Sequence, residues 1–95
     1  MFDLMRTVRL KIAGAVQGVG YRAWATRVAA ELGLRGWVRN RTDGAVEMLV
    51  TGGSDSIAAM IEAAREGPRA AHVSAVEVTD AEDDGSIGFG ARPTA

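Results

Sequence analysis

The stretch Gly14-Ala15-Val16-Gln17-Gly18-Val19-Gly20-Tyr21-Arg22 limits this chain more than any other, because three glycines in seven residues contribute nothing to a core. Glycine lets the backbone enter φ > 0 and approach another atom with no Cβ in the way. The stretch lies between a segment with strand alternation, residues 7–13, and one with helical spacing, residues 21–32. A loop that opens directly into a helix aims its free N–H groups and the positive end of the helix dipole at one point, which suits an anion. Arg22 adds a permanent charge and a planar fork of donors that matches the oxygens of a phosphate or carboxylate. Amides and arginine together read as a phosphate cradle. Glycine-rich turns also arise for geometric reasons alone, and an arginine in a first helical turn is commonly a solvated surface residue, so spacing by itself leaves both readings open.

Two named phosphate motifs fail here. The Walker pattern needs Gly-Lys-Ser or Gly-Lys-Thr, and neither follows. Gly18-Val19-Gly20-Tyr21-Arg22-Ala23 fits the dinucleotide fingerprint, with Asp43 at a tolerable distance for the ribose-binding acid. Tyr21 and Arg22 are too bulky for that first turn, the next strand leads into a hairpin rather than a second crossover, and 95 residues are too few for a doubly wound domain.

That length makes one domain, residues 1–95, large enough for a two-layer core without staples. With 47% hydrophobic and 24% charged residues the composition is that of an ordinary soluble globular protein. The absence of cysteine excludes disulfides, thiolate metal sites and a cysteine nucleophile, and is consistent with a reducing compartment. Met1-Phe2-Asp3-Leu4-Met5-Arg6 holds no apolar run suited to a signal peptide or membrane span, so a cytoplasmic location and no membrane partner are expected. The net charge of −1 hides an asymmetry: residues 1–41 carry eight Arg or Lys against two acids, residues 42–95 three against ten. A basic half containing the glycine loop would draw in a small anion, unless the charges interleave on folding. A pI of about 5.7 argues against strong nucleic-acid binding.

The first strand alternates Val8, Leu10 and Ile12 with Arg9 and Lys11, giving one buried and one wet face. Tyr21, Trp24, Ala25, Val28 and Leu32 form a helical stripe, read as core, and Gly33 with Leu34 ends it. A second strand over residues 35–41 reaches the turn signal Arg41-Thr42-Asp43-Gly44, and a third over residues 45–51 places Val46, Met48 and Val50 on one face. Ser54 or Asp55 starts a second helix with Ile57, Met60, Ile61 and Ala64 at helical spacing, ended by Gly67-Pro68. Val73, Val76 and Val78 mark a fourth strand, and residues 87–91 a weak fifth at an edge. Asp80, Glu82, Asp83 and Asp84 lack the alternation and glycine of a calcium loop and read as a solvated turn. His72 reads as a surface residue. The order β-α-β-β-α-β predicts an α+β, ferredoxin-like two-layer sandwich, an antiparallel sheet with both helices on one face. In that topology the first helix begins at one end of the sheet, and Asn40, near the end of the second strand, comes toward the same end.

These residues match a family. Residues 14–22 resemble the first acylphosphatase signature, and Gly36-Trp37-Val38-Arg39-Asn40-Arg41-Thr42-Asp43-Gly44-Ala45-Val46, continuing to Gly52, resembles the second. Gly67-Pro68, Ala71 and Val73 resemble the stretch after the second helix, so the likeness spans residues 6–91, with a final strand weaker than the family's usual one. The resemblance implies hydrolysis of an acyl phosphate to a carboxylate and inorganic phosphate, with no metal or cofactor. It implies that Arg22 and the amides of Ala15, Val16, Gln17, Gly18, Val19 and Gly20 hold the phosphoryl group, while Asn40 positions the attacking water. Inorganic phosphate, the product, is expected to inhibit, and a monomer is expected. Read without the family, Asn40 fits better as a hairpin residue capping its own turn.

Two other classes compete. One is a non-catalytic module that binds phosphate or carbamoyl phosphate, as in larger hydrogenase-maturation carbamoyl-transfer proteins; a chain that stands alone with Arg22 and Asn40 favours the enzyme. The other is an RNA-binding domain of the same topology, which needs aromatic residues on its central strands. Those strands carry Val8, Leu10, Ile12, Val46, Met48 and Val50 instead.

Overall fold

Alternation in the first strand leaves three large aliphatic side chains on one face, and that face decides where the helices sit. The computed structural model describes residues 4–95; Met1, Phe2 and Asp3, part of the N-terminal stretch read above, lie outside them. The elements are β1 (Met5–Ala15), α1 (Tyr21–Glu31), β2 (Arg35–Asn40), β3 (Val46–Gly53), α2 (Ser54–Glu66), β4 (His72–Asp80) and β5 (Phe89–Ala91). They form one five-stranded sheet in the order β4-β1-β3-β2-β5. Each neighbouring pair among β4, β1, β3 and β2 is antiparallel, so the expected ferredoxin-like order holds. The fifth runs parallel to β2, pairing Gly36 with Phe89 and Val38 with Ala91. It does so because residues 81–88 carry the chain from one sheet edge to the other.

Beneath the helices, Val8, Leu10, Ile12, Val38, Val46, Met48 and Val50 are all fully buried, joined by Ile57, Met60 and Ala64 of α2. Burying each of the larger of these side chains is worth about 1.5–3 kcal/mol. The α1 stripe differs from the one expected. Tyr21, Ala25 and Ala29 are buried, while Trp24, Val28 and Leu32 are half-buried against the core. Two alanines let the helix lie close to β2, and Trp24 stays at the rim with its ring edge-on to Tyr21, 5.2 Å between centroids. β3 is buried on both faces, Leu49 included, and on the side without helices Leu49 is flanked by Arg9 of β1 and Trp37 of β2.

Each helix ends on its expected signal. Gly33 takes φ +71°, and the Leu34 and Gly33 amides donate to Ala29 and Ala30 carbonyls, a Schellman closure. At the other helix Gly67 is the cap, with its amide on the Ala63 carbonyl. The Tyr21 hydroxyl donates to the Ala64 carbonyl at 2.7 Å, tying the start of α1 to the end of α2. Burial pushes that phenol's pKa well above its usual value. A β-bulge between Ala13 and Gly14 shifts the register of β1 on β4, so that Gly14 pairs with Val73. A Cβ on Gly14 would collide with the His72 carbonyl, so only glycine lets the strand turn into the loop there.

Candidate active site

The loop after β1 crosses one end of the sheet and enters α1 through Gly20, the N-cap, at φ 80° and ψ 18°. Gly18 also stands in the left-handed region, at φ +74° with open space around it. Its glycine is therefore required by backbone conformation and not by crowding. Among the described residues, the amides of residues 17–23 donate to no backbone carbonyl. The first α1 amide with a partner is that of Trp24, which donates to the Gly20 carbonyl at 3.0 Å. No acidic side chain occupies the first turn.

These groups surround a cavity of about 310 Å³ lined by Val16, Gly18, Gly20, Tyr21, Arg22, Ala23, Asn40 and Ala91. Arg22 is its one charged lining residue. Asn40 ends β2 and shares a sheet face with Val38, the face toward the helices. Its carbonyl accepts from the Ala95 amide at 3.1 Å, and the Thr42 amide donates back to the Ala95 carbonyl at 3.0 Å. The hairpin turn is capped by Asp43, whose Oδ1 accepts from the Ala45 amide at 3.0 Å. Asp43, not Asn40, thus does the capping that a reading without the family gave to Asn40.

Of the sequence-named residues, Val16, Gly18, Gly20, Arg22 and Asn40 meet at this cavity, whereas Ala15, Gln17 and Val19 do not line it. Ala15 pairs with His72 at the end of β1. Val19 packs half-buried against the core. The Gln17 side chain turns to the hairpin, where Nε2 donates to the Arg41 carbonyl at 2.7 Å and to the Ala45 carbonyl at 2.9 Å. Ala91 is a lining residue that sequence reasoning missed, since nothing in a small apolar residue of a glycine-rich tail signals a cavity wall.

The charge asymmetry resolves on the opposite face of the sheet. Buried Glu47 accepts from Arg39 Nε at 2.7 Å, with Arg9 Nε at 3.2 Å and Arg41 Nη1 at 3.4 Å. Lys11 pairs with Asp43 at 3.0 Å, and Arg35 with Asp83. Cations of the first half thereby meet acids of the second, and the charges interleave. Exposed Arg22 has no carboxylate partner among the described residues. His72 is exposed. Asp83 and Asp84 do more than a solvated turn would: Asp84 accepts from Trp37 Nε1 at 2.9 Å, and the turn covers that indole. Among the described residues no three His, Cys, Asp or Glu side chains are grouped as metal ligands would be, and no helix is long and apolar enough to cross a membrane.

The fold is a ferredoxin-like α+β sandwich that brings a glycine-rich loop, an arginine with no carboxylate partner among the described residues, and an asparagine to one cavity. Over residues 8–90 the chain matches the family model Acylphosphatase. An acylphosphatase of Azoarcus sp. (strain BH72) is 55% identical over 85 residues, which are 90% of this chain and 87% of that one. The structure of an acylphosphatase from Coxiella burnetii superposes with a TM-score of 0.89 at 35% identity, covering 93% of each chain. Full-length HypF contains the same fold, with a TM-score of 0.89 at 24% identity, over 99% of this chain and 13% of that one. The chain belongs to the acylphosphatase family, and it is an enzyme that hydrolyses acyl phosphates.

Proposed function

We propose that the loop cavity is where that hydrolysis takes place, within a single domain over residues 1–95. Arg22 and the amides of residues 15–20 hold the phosphoryl oxygens, and the Asn40 side chain orients a water against phosphorus. The observation that carries the reading is the convergence on one cavity of Gly18, Gly20 and Arg22, whose amides donate to no backbone carbonyl, of an Arg22 guanidinium without a carboxylate partner among the described residues, and of Asn40. The water oxygen bonds to phosphorus, the bond from phosphorus to the acyl oxygen breaks, and the carboxylate leaves with the electron pair. Both protons of the water stay with the inorganic phosphate formed. A carboxylate is a good leaving group, so little acid catalysis is required, and a loose transition state is served by positioning and by charge stabilisation on the equatorial oxygens. Those are what an arginine, an amide nest and an asparagine supply without a metal.

On this reading inorganic phosphate competes for the same cradle, and the protein acts as a cytoplasmic monomer on a small-molecule acyl phosphate, with no nucleic acid or membrane partner. Benzoyl phosphate hydrolysis in excess EDTA, beside a phosphate monoester and the Arg22→Ala variant, tests it. Chelator-resistant turnover of the acyl phosphate alone, lost by about 10³-fold or more in the variant, is expected. Unchanged phosphate inhibition in Arg22→Ala would remove the arginine from the site. A folded protein that binds phosphate without turning over benzoyl phosphate would instead fit the non-catalytic binding module.

A further inference from the structure

Among the loop residues, Gln17 sends its side chain away from the cavity and uses both protons of one carboxamide. It donates to the Arg41 carbonyl at 2.7 Å and the Ala45 carbonyl at 2.9 Å, the two carbonyls on either side of the β2–β3 turn. The Ala45 carbonyl also accepts from the Arg41 amide at 2.8 Å, so the clip lands on the closing bond of the hairpin. Asn40 is the residue immediately before Arg41. The loop that holds Arg22 and the strand end that holds Asn40 come from distant parts of the chain, and Gln17 joins them by side-chain hydrogen bonds. A planar carboxamide with two donors fixes orientation as well as distance. Both bonds are part-buried, where water substitutes for them poorly.

We propose that Gln17 is a positioning residue for turnover: its side chain sets the separation between the phosphate cradle and Asn40, and hence the line along which water meets phosphorus. The proposal rests on the roles of Arg22 and Asn40 given above. Phosphoryl transfer is steep in this coordinate, since attacking and leaving oxygens must be in line and a 1 Å misplacement can cost about 10²-fold. Phosphate affinity is not, because loop amides and Arg22 remain on one continuous segment whether or not the clip is closed. The clip therefore acts on turnover, through Asn40.

The test uses the full chain with Gln17→Met, which keeps length and volume but loses both donors, and Gln17→Glu, which keeps the shape but at neutral pH sets acceptors against two carbonyls. Each is made alone and with Asn40→Ala. Measured are kcat on benzoyl phosphate, inhibition by inorganic phosphate, and thermal unfolding. In the wild-type background, kcat is expected to fall by about 10- to 10²-fold, at least as far for Glu as for Met, with phosphate inhibition within about twofold. In the Asn40→Ala background the same substitutions are expected to cost less than about twofold in kcat, while lowering the unfolding temperature as much as before; residues that act through one another are non-additive. Equal losses in both backgrounds overturn the coupling while leaving the site intact, and so does wild-type turnover in Gln17→Glu. Full activity of Asn40→Ala overturns the Asn40 assignment itself, and the coupling with it.

Discussion

At the scale of single residues, the proposed mechanism divides binding from chemistry between Arg22 and Asn40. On that proposal Arg22 brings a permanent charge to the phosphoryl oxygens, and its loss is expected in affinity and turnover together. Asn40, on the same proposal, brings a neutral amide whose partner is the water. Asn40→Ala is therefore expected to lower kcat by roughly 10²-fold while inhibition by phosphate stays within about twofold. Loss of phosphate inhibition in a folded Asn40→Ala protein would place the side chain on the phosphoryl group instead. Gly18 offers a different probe, because its φ of +74° stands in open space. A Cβ at position 18 meets nothing within 4 Å, yet a β-branched residue resists that conformation by about 1–3 kcal/mol. The loop is expected to swing to a negative φ and lose its aim, reducing kcat and weakening phosphate inhibition together. A fully active Gly18→Val enzyme would mean that the amide geometry of the loop is not used.

At the scale of elements, what was legible followed from strong local patterns. Val8, Leu10 and Ile12 gave the buried face of β1, Asp43-Gly44 the hairpin, Gly33 and Gly67 the helix ends. The α1 stripe was less legible because helical spacing alone does not distinguish Ala29, which meets the sheet, from Trp24, which stays at the rim. The partners of Gln17 were not legible at all, since backbone carbonyls 24 and 28 residues away leave no mark on composition. Nor was the direction of β5, which depends on where residues 81–88 cross the sheet. Tyr21 shows how an element is joined to the rest. Its hydroxyl reaches the Ala64 carbonyl, and its ring packs on Gly67, where a Cβ would come within 2.8 Å of Cε2. Tyr21→Phe removes the bond and leaves a buried acceptor short of its partner, a loss of about 1–3 kcal/mol. Urea unfolding should report that loss with kcat nearly unchanged. A large fall in kcat without loss of stability would mean that the hydroxyl serves the cavity and not the joint between helices.

At the scale of the whole molecule, ion pairs that cross the sheet tie the acidic second half of the chain to the basic first half, and they make stability depend on pH. Asp84 accepts from the Ser86 hydroxyl and amide and from Trp37 Nε1, with the Arg92 guanidinium as an ion-pair partner 3.6 Å away, and these partners hold its pKa down to about 2. Asp83 is held low by Arg35 and then by the Gly85 amide, and Asp43 by the Ala45 amide and then by Lys11. In the unfolded chain each carboxyl titrates near its ordinary value of about 3.9. A group whose pKa is lower in the folded state stabilises fully above the unfolded value, and loses that contribution as pH falls toward the folded one. For Asp84 the window runs from about pH 4 to about pH 2. Asp84→Asn should therefore be less stable than the parent at pH 6, and the gap in unfolding temperature should narrow steadily below pH 4. The same gap at pH 2.2 as at pH 6 would show that charge on Asp84 is not what binds the 81–88 segment over Trp37. A narrowing gap would identify that segment as held electrostatically, with its far end leading into the tail that pairs with Asn40.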